Sequence, residues 1–360
     1  MKRLRVAIIG QGRSGRDIHS SHMRDLPEMF EIVAAVDPLK VRRTRAAEEL
    51  KCEVYADYKP LLKRRDLDLV VNASPSHLHV PISLELFKAG HNVLTEKPLA
   101  RTVREVDQLA AAAKKAKKLF AIYQQSRFAP YFQQVSKVID SGVLGRIVQI
   151  SIAFNGFGRR WDWQTLTSWN GGNLMNTGPH PLDQALRLMD VPTDQTPAVF
   201  CFMDRAHFFG DAEGHVKLLL RAEKRPLIDL EISSCCAYPL FTYHLFGTQG
   251  GLKGGMTEME WRYYKPAEAP RQRATEVPIH NPDWTPAYCG EQLNWHTEKW
   301  QVPEEQKDLF RTLGLAYYRM LHKHITQGGP LVVTPAQVRQ QIAVIQEAHR
   351  QNPQIWGKKK

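Results

Sequence analysis

Residues 4–9 form a nearly unbroken apolar run that stops at Gly10-Gln11-Gly12-Arg13-Ser14-Gly15. A buried parallel strand feeding a helix through a glycine turn gives this pattern. Residues 32–36 form a second apolar run ending at Asp37. Segments then alternate: 59–65 helix, 67–73 strand, 81–89 helix, 92–95 strand, 103–117 helix and 119–123 strand. Such alternation specifies a doubly wound parallel sheet, so residues 1–125 are predicted to form a Rossmann domain. From Arg146 the period becomes two: Val148, Ile150, Ile152 and Phe154 alternate with other residues, as do Val216, Leu218 and Leu220 and then Ile228, Leu230 and Ile232. Period two predicts half-buried antiparallel strands, with turns at 210–214, 224–226 and 247–251. Helices are predicted at 131–141, 181–189 and 304–326, and residues 266–300, rich in proline and tryptophan, read as a long loop. The predicted class is α/β. The N-terminal doubly wound domain is followed by an α+β domain at 126–334 with an open, mainly antiparallel sheet, and by a C-terminal helix and basic tail at 335–360.

A chain of 360 residues has room for two cores, because single cores stop growing well before that length. With 43% hydrophobic and 24% charged residues the composition is that of a soluble globular protein, and no run reads as a membrane span. The basic N-terminus precedes an apolar run too short for a signal segment, so a cytoplasmic location is expected. The formal charge of +12 is scattered over Arg42-Arg43, Lys63-Arg64-Arg65, Lys114-Lys115, Lys117-Lys118 and the terminal lysines at 358–360. Solvated helix faces account for most of it, an anionic substrate or cofactor phosphates can use the remainder, and no nucleic-acid partner is expected. Five cysteines without metal-type spacing fit reduced thiols. The histidine pairs His19/His22 and His322/His324 have no credible third ligand, so no metal is expected.

The glycine motif follows a predicted strand, opens a predicted helix and precedes an acidic residue that closes the second strand. That is the context a dinucleotide site requires. Gly10 allows the tight turn, Gly12 lets the backbone approach a pyrophosphate and Gly15 lets helix and strand pack closely. Asp37 would accept hydrogen bonds from the ribose hydroxyls and repel a 2'-phosphate, favouring NAD over NADP. Arg42 and Arg43 could reach such a phosphate, against their plainer reading as exposed helix residues.

The segment Val71-Asn72-Ala73-Ser74-Pro75-Ser76-His77-Leu78-His79, with Thr95-Glu96-Lys97-Pro98-Leu99 after it, resembles the Gfo/Idh/MocA family of glucose-fructose oxidoreductase, inositol dehydrogenase and rhizopine-catabolism proteins. Ser141-Gly142-Val143-Leu144-Gly145-Arg146-Ile147 and Phe246-Gly247-Thr248-Gln249-Gly250-Gly251-Leu252 extend the resemblance over nearly the whole chain. It implies an open second-domain sheet that often serves as a dimerisation face, and hence a homodimer or homotetramer. It also implies that Lys97 lies by the nicotinamide and the reacting carbinol, with Arg13, Ser14, Ser74, Pro75, His79, Glu96 and Trp161 among the cofactor contacts. The segment Gly171-Gly172-Asn173-Leu174-Met175-Asn176-Thr177-Gly178-Pro179-His180-Pro181-Leu182-Asp183 is similar to the family's second catalytic stretch, which makes His180 the proton-transferring histidine. An ordinary imidazole, with a pKa of ~6.5, can take a hydroxyl proton at neutral pH. Asp183 is expected to orient that ring or bind substrate, and Trp163 to face the sugar. Asn176 stands where many relatives have aspartate. An amide cannot accept a proton, so proton handling falls to His180 and Lys97.

The expected function is NAD-dependent hydride transfer between nicotinamide and a carbinol carbon of a cyclic sugar, polyol or glycoside. The alternatives are glycoside cleavage by oxidation and elimination with NAD regenerated, and a nucleotide-binding sensor without catalysis, for which Asn176 is the main support.

Overall fold

Six parallel strands order as β3-β2-β1-β4-β5-β6 in the computed structural model, which describes residues 2–357. They are β1 (Leu4–Ile9), β2 (Phe30–Val36), β3 (Glu53–Tyr55), β4 (Leu69–Asn72), β5 (Val93–Thr95) and β6 (Phe120–Ile122). The order reverses at β1, and at such a switch point the loops after β1 and β4 diverge and leave a crevice. Leu4, Val6, Ile8, Leu69, Val70, Val71, Val93 and Leu94 are fully buried, as strands covered on both faces require. The covering helices are α1 (Ser21–Arg24), α2 (Lys40–Leu50), α3 (His79–Lys88) and α4 (Val103–Ala116). α1 continues from a π-helical segment, Ser14–Ser20, that the sequence pattern did not foretell. Two expectations are corrected. Residues 59–65 make only a short 3-10 turn, Lys59–Lys63, and β3 was not anticipated.

After α5 (Pro130–Asp140) comes an eight-stranded sheet ordered β14-β13-β12-β11-β7-β10-β9-β8. Its strands are β7 (Ile147–Asn155), β8 (Ala198–Asp204), β9 (His215–Arg221), β10 (Leu227–Ser233), β11 (Tyr243–Gly247), β12 (Gly250–Gly254), β13 (Glu258–Tyr263) and β14 (His296–Gln301). Pairing is antiparallel except between β7 and β10. Residues 266–300 are therefore not all loop, because Trp300 pairs with Met259 as β14 closes the sheet edge. One face buries Ile150, Ile152, Val216, Leu218, Ile228, Leu230, Tyr243 and Leu245. α7 (Pro179–Met189), which follows the short α6 (Asn173–Asn176), covers part of that face, and Tyr243 donates to its Gln184 at 2.7 Å. The other face exposes Phe200, Phe202, Leu219 and Phe246.

Two late helices tie the sheets together. α8 (Leu309–Gln327) returns to the N-terminal sheet, where Tyr317 donates to the Ile122 carbonyl at 2.8 Å and Tyr318 meets His19 at 2.5 Å. α9 (Pro335–Gln351) opens on a capping box of Thr334 and Gln337, which satisfies two otherwise orphaned N–H groups. Its Arg339 pairs with Asp107 on α4, and its Gln341 reaches the Pro179 carbonyl at the start of α7. The basic tail at 358–360 lies outside the described residues. No helix among the described residues is long and apolar enough to cross a membrane.

Candidate active site

The glycine turn is built as its spacing implies. Gly10 has φ +92°, and a Cβ there would lie 2.3 Å from the Ala73 carbonyl oxygen. A Cβ on Gly15 would lie 1.7 Å from the Gly10 carbonyl oxygen, so neither position admits a side chain. A Cβ on Gly12 would meet nothing closer than the Arg42 guanidinium at 3.5 Å. That face opens onto a cavity of about 750 Å³ which runs from Asp37 past Ser74 and Pro75 to Lys97 and His180. This volume is in the range of small-molecule and cofactor sites. Bare backbone at Gly12 beside the first helical turn is a fit for a pyrophosphate, and Arg13 and Ser14 line the same stretch.

Asp37 is buried and already engaged. It accepts from the Gln11 N–H at 2.8 Å and the Leu39 N–H at 2.9 Å, and Arg42 approaches to 3.4 Å. A carboxylate has about four lone-pair sites, so capacity remains for a ribose hydroxyl. Arg43 is fastened to the Asp37 and Pro38 carbonyls, and Arg45, which sequence reasoning did not single out, donates to the Gln11 carbonyl. Only Arg42 of the three lines the cavity. On the next loop the Ser74 hydroxyl donates to Asn72 at 2.7 Å, and the buried His79 ring spans the Pro98 and Ser74 carbonyls at 2.7 and 2.9 Å. His79 thus straps the Glu96-Lys97-Pro98 turn to the Ser74 loop. Burial pushes its pKa down although both carbonyls and Glu96 pull it up.

β5 ends at Thr95 and delivers Glu96 and Lys97 to the middle of the cavity. Glu96 is turned on His19, 3.1 Å from its Nε2, and on the Lys97 N–H at 2.9 Å. Burial raises its pKa, but the His19 hydrogen bond and the charges of His19, Lys97 and His79 outweigh this and hold it down. The Lys97 ammonium donates to the Asn176 carbonyl at 2.7 Å. Burial lowers its pKa, Glu96 pulls it back, and Arg13 and Arg160 push it down again. His180, at the start of α7, lines the cavity with its Nδ1 buried and without a partner among the described residues. Burial first and the Lys97 charge second press its pKa to about 3. The ordinary imidazole value expected from the sequence therefore does not hold, and the ring is neutral at physiological pH.

Some expected residues lie elsewhere. Asp183 is buried in a two-pronged pair with Arg127, at 2.6 and 2.7 Å, and neither orients His180 nor lines the cavity. Trp161 is 77% exposed and outside the lining, whereas Trp163 lines it and packs 5.8 Å from Trp169. Asn176 lines the cavity, its side chain held by Gln164 at 3.0 Å. Sequence reasoning missed Gln125, a buried lining residue whose Oε1 has no partner among the described residues. It stands three residues after the end of β6, and the rule that ligands bind beyond the carboxyl ends of parallel strands could have flagged it. Among the described residues no group of three or more His, Cys, Asp or Glu side chains could hold a metal.

Residues 4–124 match the oxidoreductase family with an NAD-binding Rossmann fold, and residues 132–253 match the GFO/IDH/MocA C-terminal domain. The chain belongs to the Gfo/Idh/MocA family. An uncharacterized oxidoreductase of Schizosaccharomyces pombe is 29% identical over 204 residues, covering 54% of each chain, so this match spans about half the relative's length. A 2,7-anhydro-N-acetylneuraminate hydratase of Mediterraneibacter gnavus is 26% identical over 262 residues, covering 72% of this chain and 69% of the relative. The fold of this Gfo/Idh/MocA member matches that of levoglucosan dehydrogenase, solved with NADH and levoglucosan, at a TM-score of 0.77 and 18% identity over 97% of both chains.

Proposed function

We propose that this Gfo/Idh/MocA protein is an NAD-dependent dehydrogenase or reductase acting on a carbinol carbon of a cyclic sugar, polyol or glycoside. The observation that carries the reading is the placement of His180, its buried Nδ1 without a partner among the described residues, in one cavity with Lys97 and the open face of Gly12. NAD, when bound, supplies the hydride acceptor. Lys97 holds the substrate oxygen and stabilises the alkoxide as charge develops, and the neutral His180 receives the hydroxyl proton. Gly10, Gly12, Arg13 and Ser14 hold the pyrophosphate, and Ser74, Pro75 and the strap of His79 shape the wall beyond β4. Formation of NADH by purified protein across a panel of pyranoses, inositols and glycosides tests the reading. Silence across such a panel would count against it.

The similarity to a hydratase favours a second reading, in which oxidation at one ring carbon acidifies its neighbour, a substituent is eliminated and NAD is regenerated. Product release without net NADH selects it.

Asp37 keeps a free acceptor position and would repel a 2'-phosphate, so NAD is expected to bind at least tenfold more tightly than NADP in calorimetric titrations. Equal or tighter NADP binding would mean that Arg42 leaves Asp37 for the phosphate. The exposed Phe200, Phe202, Leu219 and Phe246 on one sheet face support a homodimer or homotetramer formed through that face. Light scattering at micromolar concentration should show twice or four times the 41.2 kDa chain mass. The five unpaired cysteines support a cytoplasmic setting.

A further inference from the structure

The direction in which Asn176 points its amide is set by a chain of hydrogen bonds that begins on an arginine. Arg160 carries donors only. Its Nη2 donates to Asp162 at 2.7 Å and to the side-chain oxygen of Gln164. Gln164 must therefore turn its NH2 the other way, where it donates to Asn176 Oδ1 at 3.0 Å. One acceptor site of the Asn176 oxygen is thereby taken, and its NH2 keeps two N–H donors with no acceptor among the described residues, on a residue that lines the cavity. The Lys97 ammonium, anchored on the main-chain carbonyl of the same residue, adds two further N–H donors. An aspartate at 176 would present acceptors, so this chain inverts the polarity of that wall.

The charges point the same way. Glu96, the carboxylate next to Lys97, is spent on His19 and on a main-chain N–H. Arg13 and Arg160 both bear on the Lys97 ammonium; Arg160 is offset by its pair with Asp162 at 2.7 Å, whereas Arg13 has no ionic partner among the described residues. We propose that Asn176 Nδ2, together with one of the two remaining Lys97 N–H groups, receives a carboxylate of an acidic pyranose while the other Lys97 N–H stays on the reacting oxygen, so that the preferred substrates are sugar acids of the uronate type. This rests on the reading of the cavity as the sugar site of a dinucleotide enzyme. Gln164 and Arg160 are positioning residues. They act by fixing which end of the Asn176 amide meets the substrate, and a charge-assisted bond from that end is roughly twice as strong as a neutral one.

The test uses NADH-loaded protein, which cannot oxidise an alcohol, and calorimetric titration with three matched pairs: D-glucose and D-glucuronate, D-galactose and D-galacturonate, D-mannose and D-mannuronate. At least one uronate is expected to bind tenfold or more tightly than its aldose. Gln164→Glu is nearly isosteric and decides the mechanism. A carboxylate there still accepts from Arg160 but can only accept from position 176, so Asn176 must rotate and show its oxygen to the cavity. That variant should keep its melting temperature within a few degrees and its aldose affinity within about threefold, yet lose most of the uronate preference; Gln164→Met, which imposes neither orientation, should lose less. Asn176→Asp should abolish the preference. Uronates binding no better than aldoses in all three pairs, or a preference unchanged in Gln164→Glu, overturns the proposal. Fluorescence titration with NADH separates the two levels: failure to bind NADH removes the dinucleotide reading and this inference with it, whereas normal NADH binding without uronate preference removes this inference alone.

Discussion

His180→Ala and Lys97→Ala should each lower turnover on a confirmed sugar substrate by a factor on the order of 10² or more, the scale of general acid–base and electrostatic contributions. NADH affinity should change little in His180→Ala, because the ring lies at the reacting end of the cavity and not along the pyrophosphate stretch. The pH dependence carries more information than the loss itself. With a pKa near 3, His180 is already deprotonated at pH 5, so protonation of this ring produces no acid limb in kcat/KM for oxidation above about pH 4. Asn176→Asp adds a carboxylate to the cavity that His180 lines, and a negative charge there favours the charged imidazole and raises its pKa. Oxidation needs the neutral ring, so an acid limb should then move up into the measurable range. Near-normal turnover in His180→Ala would sink this assignment and direct attention to Asp162, which lines the same cavity.

The largest stability effect is expected at Asp183. Its carboxylate and the Arg127 guanidinium are both buried, and Arg127 also donates to the Val332 carbonyl and to Gln337 at the start of α9. Asp183→Ala leaves an uncompensated guanidinium in the interior, at a cost of about 3–5 kcal/mol. Urea denaturation should show a lower midpoint with an unchanged slope. Replacing both partners, as in Arg127→Met with Asp183→Leu, should recover much of that loss, since a well-packed apolar pair can match a buried ion pair. A loss below 1 kcal/mol in Asp183→Ala would show that water reaches the pair.

What the sequence disclosed and what it hid divide along a physical line. The central strands were legible because burial on both faces leaves a continuous apolar run, as in Leu4–Ile9 and Leu69–Asn72. The edge strands were not: Glu53–Tyr55 has three residues, and His296–Gln301 reads HTEKWQ with most positions exposed, so neither shows a burial period. The local constellations, Gly10 to Gly15 and Glu96-Lys97-Pro98, carry their chemistry within a few residues and could be read directly. Asp183 was misjudged because its partner, Arg127, stands 56 positions away. The neutral state of His180 depends on burial beside Lys97, 83 positions earlier in the chain, and no local pattern encodes that. The polarity of Asn176 lies between these cases. Arg160, Asp162 and Gln164 are close in sequence, but only the fold shows in which direction each bond runs.

The contact of α8 with the N-terminal sheet has a consequence for synthesis. His19 and Tyr318 are 299 positions apart; Tyr123 and Tyr318 flank the His19 ring, and Tyr317 packs behind Tyr123. At 5–20 residues per second, about 15–60 s separate the emergence of these two residues from the ribosome. In that interval the faces of Phe30 and Tyr123 that Tyr318 covers in the finished fold lack their cover, and the His19 that holds Glu96 lacks its Tyr318 partner. The first domain to be made is therefore among the last to be finished, and the bed beneath Lys97 is completed only when the final third of the chain arrives.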